Sequence, residues 1–162
     1  MAPGTYGPAV GRGSASRQIA TFHVGPLYVG IDVSRVQEVL RDQPLSRVPL
    51  APVAVVGLLN LRGQIVTAID LRRCFGMPAR RDGHVPMHIV IRTAEGAVSL
   101  LVDAMDDVVE LSEARWSPTP ETLDSPTREL VCGVYTLEDR LLLLLDHERA
   151  AAVIDHHGER DH

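Results

Sequence analysis

Two stretches of this chain copy one another. Gly57-Leu58-Leu59-Asn60-Leu61 runs to Arg62-Gly63 and returns as Ile65-Val66-Thr67-Ala68-Ile69-Asp70; Gly133-Val134-Tyr135-Thr136-Leu137 runs to Glu138-Asp139-Arg140 and returns as Leu141 to Leu145 and Asp146. An apolar run, a short polar break and a second apolar run is the pattern of a β-hairpin, and Gly63 can adopt the positive φ that a tight turn requires. From the leading Gly to the closing Asp the spacing is 13 in both copies. Upstream lies a second echo, Val36-Gln37-Glu38-Val39 against Val108-Val109-Glu110-Leu111, offset by 72 positions where the hairpins are offset by 76. Two copies at so long a period describe two small β units side by side, not a solenoid. A β unit of ~60–70 residues is marginal alone, so the halves should share an interface core. Coincidence among Val- and Leu-rich strands is the competing reading of the spacing taken alone.

The remaining sequence is consistent with such a fold. The 162 residues are 45% hydrophobic and 23% charged, which is ordinary globular usage and too little chain for a multi-domain enzyme. Short Val/Ile/Leu runs bounded by Gly, Pro, Asp or Asn predict strands over 18–24, 27–31, 57–61, 64–69, 88–92, 98–102, 108–111, 131–137 and 141–146. Short helices are expected at Val33–Leu40, capped by Asp32, at Val53–Val55, at Leu71–Phe75 and over about 147–154. Three prolines, Pro118, Pro120 and Pro126, make 112–128 read as a surface loop with at most a strand-like piece near 115–117. Residues 1–16 read as a flexible leader and 155–162 as a flexible tail, both dispensable for folding, around a domain of 17–154. Alternation within strands proposes Ile65, Ile69, Val102, Val134, Leu143 and Leu145 as core positions.

Charge and motif content argue against several functions. The net charge is −5 and all 16 basic residues are Arg, so no positive excess favours a nucleic-acid backbone. No apolar run approaches the ~20 residues of a membrane span, and the leader lacks a signal-peptide core, so a cytoplasmic protein without direct membrane insertion is expected. Cys74 and Cys132 have no Cys-x-x-Cys spacing, and Cys74 reads as an inert thiol despite its neighbours Arg72 and Arg73. His84 and His88 are separated by Pro86, which argues against a helix presenting both to a metal. His156, His157 and His162 fall in the polar tail, and Asp103, Asp106 and Asp107 lack calcium-loop spacing. Gly7, Gly11 and Gly13 have no strand and helix around them to form a phosphate loop. No nucleophile, base and oxyanion donors assemble, so the expectation is a binding module with no catalytic residues, no metal and no cofactor.

For a binding module, Arg62 is the informative residue. It is either a solvated turn arginine or a five-donor fork offered to a partner's carboxylate or carbonyls. Glu38 is likewise either an ordinary helix-surface charge or a complementary rim group.

Several motifs in one order carry a family resemblance from about residue 18 to residue 154. They are Tyr28-Val29-Gly30-Ile31-Asp32 with Val36-Gln37-Glu38-Val39; Arg47-Val48-Pro49 and Pro52; Gly57 to Gly63 with Ile69-Asp70-Leu71; Leu101-Val102-Asp103 with Val108; and Gly133-Val134 with Leu143-Leu144-Leu145-Asp146. On these the chain resembles the CheW family of chemotaxis coupling proteins. The resemblance implies an all-β fold with short helices, built as two SH3-like five-stranded barrels. It implies a non-enzymatic adaptor that joins the cytoplasmic tips of methyl-accepting chemoreceptors to a CheA-type histidine kinase, recruited to receptor arrays at the inner face of the membrane. A CheW-like scaffold for another kinase pathway, such as type IV pili or development, is the alternative. By motif position, Arg62, Glu38, Val36, Val39 and Gly57 are the implied partner contacts. Two departures weaken any choice of kinase or receptor: Thr67 replaces a proline frequent in the family, and Arg149-Ala150-Ala151-Ala152 is poorer in leucine than the usual terminal helix.

Overall fold

The computed structural model describes residues 16–112 and 115–155. Its strands are β1 (Ser16–Val24), β2 (Leu27–Asp32), β3 (Val36–Leu40), β4 (Val55–Leu61), β5 (Gln64–Asp70), β6 (Met87–Thr93), β7 (Gly96–Val102), β8 (Ala104–Ser112), β9 (Trp116–Ser117), β10 (Val131–Thr136) and β11 (Leu141–Leu145). Three short helices accompany them: α1 (Leu71–Cys74), α2 (Ser125–Leu130) and α3 (His147–Ala151). The strands form two sheets, one ordered β8-β1-β2-β11-β10-β9 and the other β3-β6-β7-β5-β4.

The two sheets repeat one topology. In each, an edge strand (β3 or β8) pairs antiparallel with the first strand of a hairpin (β6–β7 or β1–β2). The hairpin's second strand then pairs in parallel with the second strand of the duplicated hairpin, Thr67 opposite Val98 in one sheet and Leu143 opposite Val29 in the other. The copying extends to an irregularity. Val55 pairs with Ile69 and Gly57 with Ala68, leaving Val56 as a bulge; Val131 pairs with Leu145 and Gly133 with Leu144, leaving Cys132. Even the outer edge is matched, because Ser46 bridges Leu58 as Ser117 bridges Val134. The repeat is permuted, however: the β6–β7 hairpin lies within its own unit, whereas its counterpart β1–β2 comes from the start of the chain and closes the unit made from the chain's end. The two units are therefore interlocked, not consecutive.

Burial follows from this arrangement. Each sheet encloses a small core of its own, Leu59, Leu61, Val66, Ala68, Val90 and Leu101 in one and Ile19, Tyr28, Leu111, Tyr135, Leu142 and Leu144 in the other. Between the sheets lies the larger shared core, to which Phe22, Ile31, Ile69, Ile89, Leu100 and Val102 contribute alongside α1, α2 and α3. That a unit this small needs a shared core is thus met directly. Charges stitch the same junction: Asp103, between β7 and β8, accepts from Arg72 (2.9 Å), Arg80 (2.8 Å) and the Gly25 amide (2.6 Å), and Arg80 also reaches Asp70 at 2.8 Å.

Several expectations are corrected. The helix expected over Val33–Leu40 is a single 3-10 turn, Val33–Arg35, followed by β3; Asp32 does cap that turn by accepting from the Ser34 amide. The helix expected at Val53–Val55 is a turn leading into β4. The loop expected over 112–128 contains the start of α2, whose cap Asp124 accepts from the Thr127 amide while Pro126 sits in the first turn, where a missing N–H costs nothing. Ile65 is 59% exposed, whereas Ile69, Val102, Val134, Leu143 and Leu145 are buried as expected. Ser16 already pairs with Ser112 in β1, inside the segment read as leader. The rest of that leader and residues 156–162 lie outside the described residues.

Candidate functional site: the clasp at the β4–β5 turn

The β4–β5 hairpin closes with two residues, Arg62 (φ 53°) and Gly63 (φ 87°). Positive φ at both central positions is the type I′ arrangement, whose twist matches that of the strands it joins. Gly63 is free of crowding, with nothing within 4 Å of where a Cβ would stand; backbone conformation is what it provides. Asn60 steadies the turn by accepting from the Gly63 amide at 2.8 Å. Arg62, a poor residue for this backbone, is held with its side chain turned to Glu38, with which its Nη2 forms an ion pair.

Glu38 lies on β3 and Arg62 at the tip of β4–β5, and β3 and β4 are the opposite edges of their sheet. The ion pair therefore spans the two edges, which places them side by side and requires the sheet to curl around its core. The other unit carries a counterpart. Arg140, at the β10–β11 turn, stacks its guanidinium 3.6 Å above the Tyr28 ring and comes within 4.0 Å of Asp106 on the edge strand β8. His23 holds Asp106 at 2.7 Å, and this contact with the Asp107 amide keeps the carboxyl below its usual range. Neither Arg140 nor Tyr28 is among the partner contacts that the motifs imply, although Arg140 occupies the same turn of the second hairpin as Arg62 does of the first.

The implied contact residues are not equivalent in position. Arg62 is exposed, its side chain at 70% of full accessibility, and Glu38 beneath it is at 22%. Val39, next along β3, is 40% exposed and points to solvent, while Val36 is half-buried and packs on the shared core. Gly57 is buried on β4 under the incoming chain: a Cβ there would stand 2.7 Å from the Ser46 carbonyl and 3.1 Å from Leu45 Cβ. Its absence lets Ser46 lie close enough to exchange two 2.8 Å hydrogen bonds with Leu58. Arg62 and Glu38 thus make one exposed clasp, Val39 is exposed on the opposite face of β3, and Gly57 lies behind as support.

Groups with reactive potential elsewhere are quiet. Burial, reinforced by the Asp70 charge, pushes the Cys74 thiol up to about 12, leaving a negligible thiolate fraction. His88 is inside a sheet core with Nδ1 3.0 Å from Ser99 Oγ, and burial holds its pKa down. Among the described residues, no three His, Cys, Asp or Glu side chains are placed to hold a metal ion. What the surface offers is apolar area, a guanidinium fork and carboxylates on a stiff double sheet, which is equipment for docking.

Residues 18–154 match the family model for the CheW-like domain. The chain belongs to the CheW family. It is 30% identical over 136 residues to the chemotaxis protein CheW of Klebsiella aerogenes, covering 84% of this chain and 82% of that one. It is 29% identical over 133 residues to the chemotaxis protein CheW of Rhizobium meliloti (strain 1021), covering 82% and 86%. The crystal structure of the scaffolding protein TtCheW from Thermoanaerobacter tengcongensis superposes with a TM-score of 0.74 at 27% identity, over 82% of this chain and 90% of that one. These relatives are chemotaxis and scaffolding proteins, and the two-sheet architecture described above is shared with TtCheW. No helix among the described residues is long and apolar enough to cross a membrane.

Proposed function

We propose that this chain couples the cytoplasmic tips of methyl-accepting chemoreceptors to a CheA-type histidine kinase, working in the cytoplasm at receptor arrays as an adaptor with no catalysis of its own. Residues 17–154 act as the docking body; Arg62, Glu38 and Val39 supply the partner contacts, and the buried Gly57 and half-buried Val36 hold the strands that present them. The observation that carries this reading is the Arg62–Glu38 clasp. It stands at an exposed turn, on a body stiffened by a shared core, and only Nη2 of the guanidinium is engaged by Glu38. The other N–H donors of the fork are available to a carboxylate or carbonyl on a partner. Glu38 fixes the fork's direction in advance, so less rotamer freedom is lost on binding.

The clasp contributes little to folding, since exposed ion pairs stabilise by about 0.2–1 kcal/mol. Its contribution to binding is larger when a partner excludes water from it, about 2 kcal/mol or ~30-fold in affinity. Titration calorimetry of the full chain against the kinase and against a receptor signalling-tip fragment, with thermal melts in parallel, tests both statements. Arg62→Ala is expected to melt within a few degrees of the parent chain and to lose about 30-fold in affinity for one partner. Arg62→Glu is expected to lose more, because a second carboxylate then faces Glu38 and the partner. Unchanged affinity of Arg62→Ala for both partners removes this residue from the surface, and a parent chain that binds neither partner overturns the adaptor reading.

A further inference from the structure

The segment entering β4 carries a second exposed feature, built at a cost to the backbone. The Ala51 amide donates to the Val48 carbonyl at 3.4 Å, closing a turn with Pro49 in its second position and Leu50, at φ 62°, in its third. This is the type II arrangement, whose third position ordinarily holds Gly or Asn because a side chain there crowds its own carbonyl. Leu50 accepts that strain and gains no burial in return, being 82% exposed. Val53, three residues on, is 78% exposed. Neither side chain contributes to the fold's core, and a glycine at position 50 would suit the turn better. Strain retained at an exposed apolar residue points to a use for the side chain outside the fold.

The surroundings define what that use accommodates. Leu50 and Val53 line a groove of about 770 Å³ together with Pro52, Val55, Val56, Arg47 and Arg73, and no acidic side chain is among its lining residues. Arg73 is fixed there, Nη1 donating to the Val53 carbonyl at 2.8 Å and Nε 3.9 Å from Asp70, with its side chain still 46% exposed. Arg47 is exposed. The patch therefore combines exposed apolar side chains with two arginines. It lies at the start of β4, and Arg62 follows the strand's end; seven residues of strand put the two about 20 Å apart.

We propose that Leu50 and Val53 are anchor side chains for a protein partner that presents an apolar recess bordered by carboxylates, with Arg47 and Arg73 meeting those carboxylates. The inference rests on the adaptor reading and deepens it: the two ends of β4 hold different partners, the clasp one and the Leu50 patch the other. A rigid strand between two patches fixes the distance between the molecules they hold.

The test uses the full chain with the same kinase and receptor fragment, each titrated separately, together with melts and sedimentation. Leu50→Gly is expected to keep or raise the melting temperature, since glycine adopts this φ without strain, while losing at least 10-fold in affinity for the partner that Arg62→Ala retains. Val53→Ser and Arg47→Glu are expected to weaken that same partner, and its affinity for the parent chain is expected to fall as salt rises. Unchanged affinity of Leu50→Gly and Val53→Ser for both partners overturns the inference, as does loss of the partner that Arg62→Ala loses. A lowered melting temperature for both variants makes the patch structural and also overturns it. So does a parent chain that sediments as a dimer and becomes monomeric in Leu50→Gly, which assigns the patch to a second copy. A parent chain that binds neither partner defeats the adaptor reading and this inference with it.

Discussion

Gly57 and Gly133 occupy the same place in the two units, one residue past the same bulge, yet substituting them should have different consequences. At Gly57 the atom in the way is backbone, the Ser46 carbonyl at 2.7 Å from an added Cβ. Ordinary contact begins at 3.4 Å, so the Ser46 segment has to retreat by roughly 0.7 Å, which stretches both of its 2.8 Å hydrogen bonds to Leu58 to the limit of useful geometry. At about 1 kcal/mol each, their loss amounts to about 2 kcal/mol, and Gly57 has φ 157°, a conformation that a residue with a side chain rarely adopts, so the lower unfolded-state entropy of alanine gives no net offset. Gly57→Ala should therefore cost about 2 kcal/mol or more. At Gly133 the obstacle is a side chain, the Trp116 indole at 2.3–2.7 Å, and Trp116 is 42% exposed, so the indole can give way by a change of rotamer without moving backbone. Gly133→Ala should cost under about 1 kcal/mol and instead move the fluorescence of Trp116, the only tryptophan in the chain, towards that of a hydrated indole. Denaturant titrations give the two free energies and emission spectra give the indole environment. A Gly57→Ala protein within about 0.5 kcal/mol of the parent, or a Gly133→Ala protein less stable than Gly57→Ala with unshifted emission, would refute the reasoning that backbone obstruction costs more than side-chain obstruction here.

Two further outcomes can be checked with the same equipment. Leu143→Ala, at a side chain 3% exposed, should destabilise by roughly 2–5 kcal/mol, and Ile65→Ala, on the same face of the equivalent strand in the other unit, by under about 0.5 kcal/mol; similar values for both would mean the burial pattern is wrong. Burial by itself would raise the Asp103 carboxyl, but hydrogen bonds from Arg72 and the Gly25 amide, with the nearby Arg80 charge, outweigh it and hold the group below its usual range. Stability from such a depressed carboxylate is complete above its unfolded value, near ~4, and is lost as pH falls through the lower folded value. Asp103→Asn should thus cost about 3 kcal/mol or more at neutral pH, with the gap from the parent narrowing in melts below about pH 4; a gap constant down to about pH 2 would count against the network.

Local order alone determined much of this protein. The paired hairpins were legible because strand alternation, the Arg62-Gly63 break and the constant Gly-to-Asp spacing are properties of contiguous residues. The same holds for α1 at 71–74, and the residue types and motif positions of Arg62 and Glu38 mark them as candidates, though not that they meet. Where tertiary contacts decide, the sequence misled. Val33, Val36 and Leu40 have helical spacing, yet 36–40 is a strand because β6, some fifty residues later, offers Val36, Glu38, Val39 and Leu40 a ladder, and a ladder outweighs weak local propensity. Ile65 and Ile69 share a face of β5, but only Ile69 lies where the second sheet covers it; which end of a strand is roofed depends on how two sheets meet. The permuted closure by β1 and β2, and the meeting of Arg62 with Glu38 across opposite edges of a curled sheet, are likewise invisible to any local window. They depend on which distant strands pair, and that is settled only when the shared core forms.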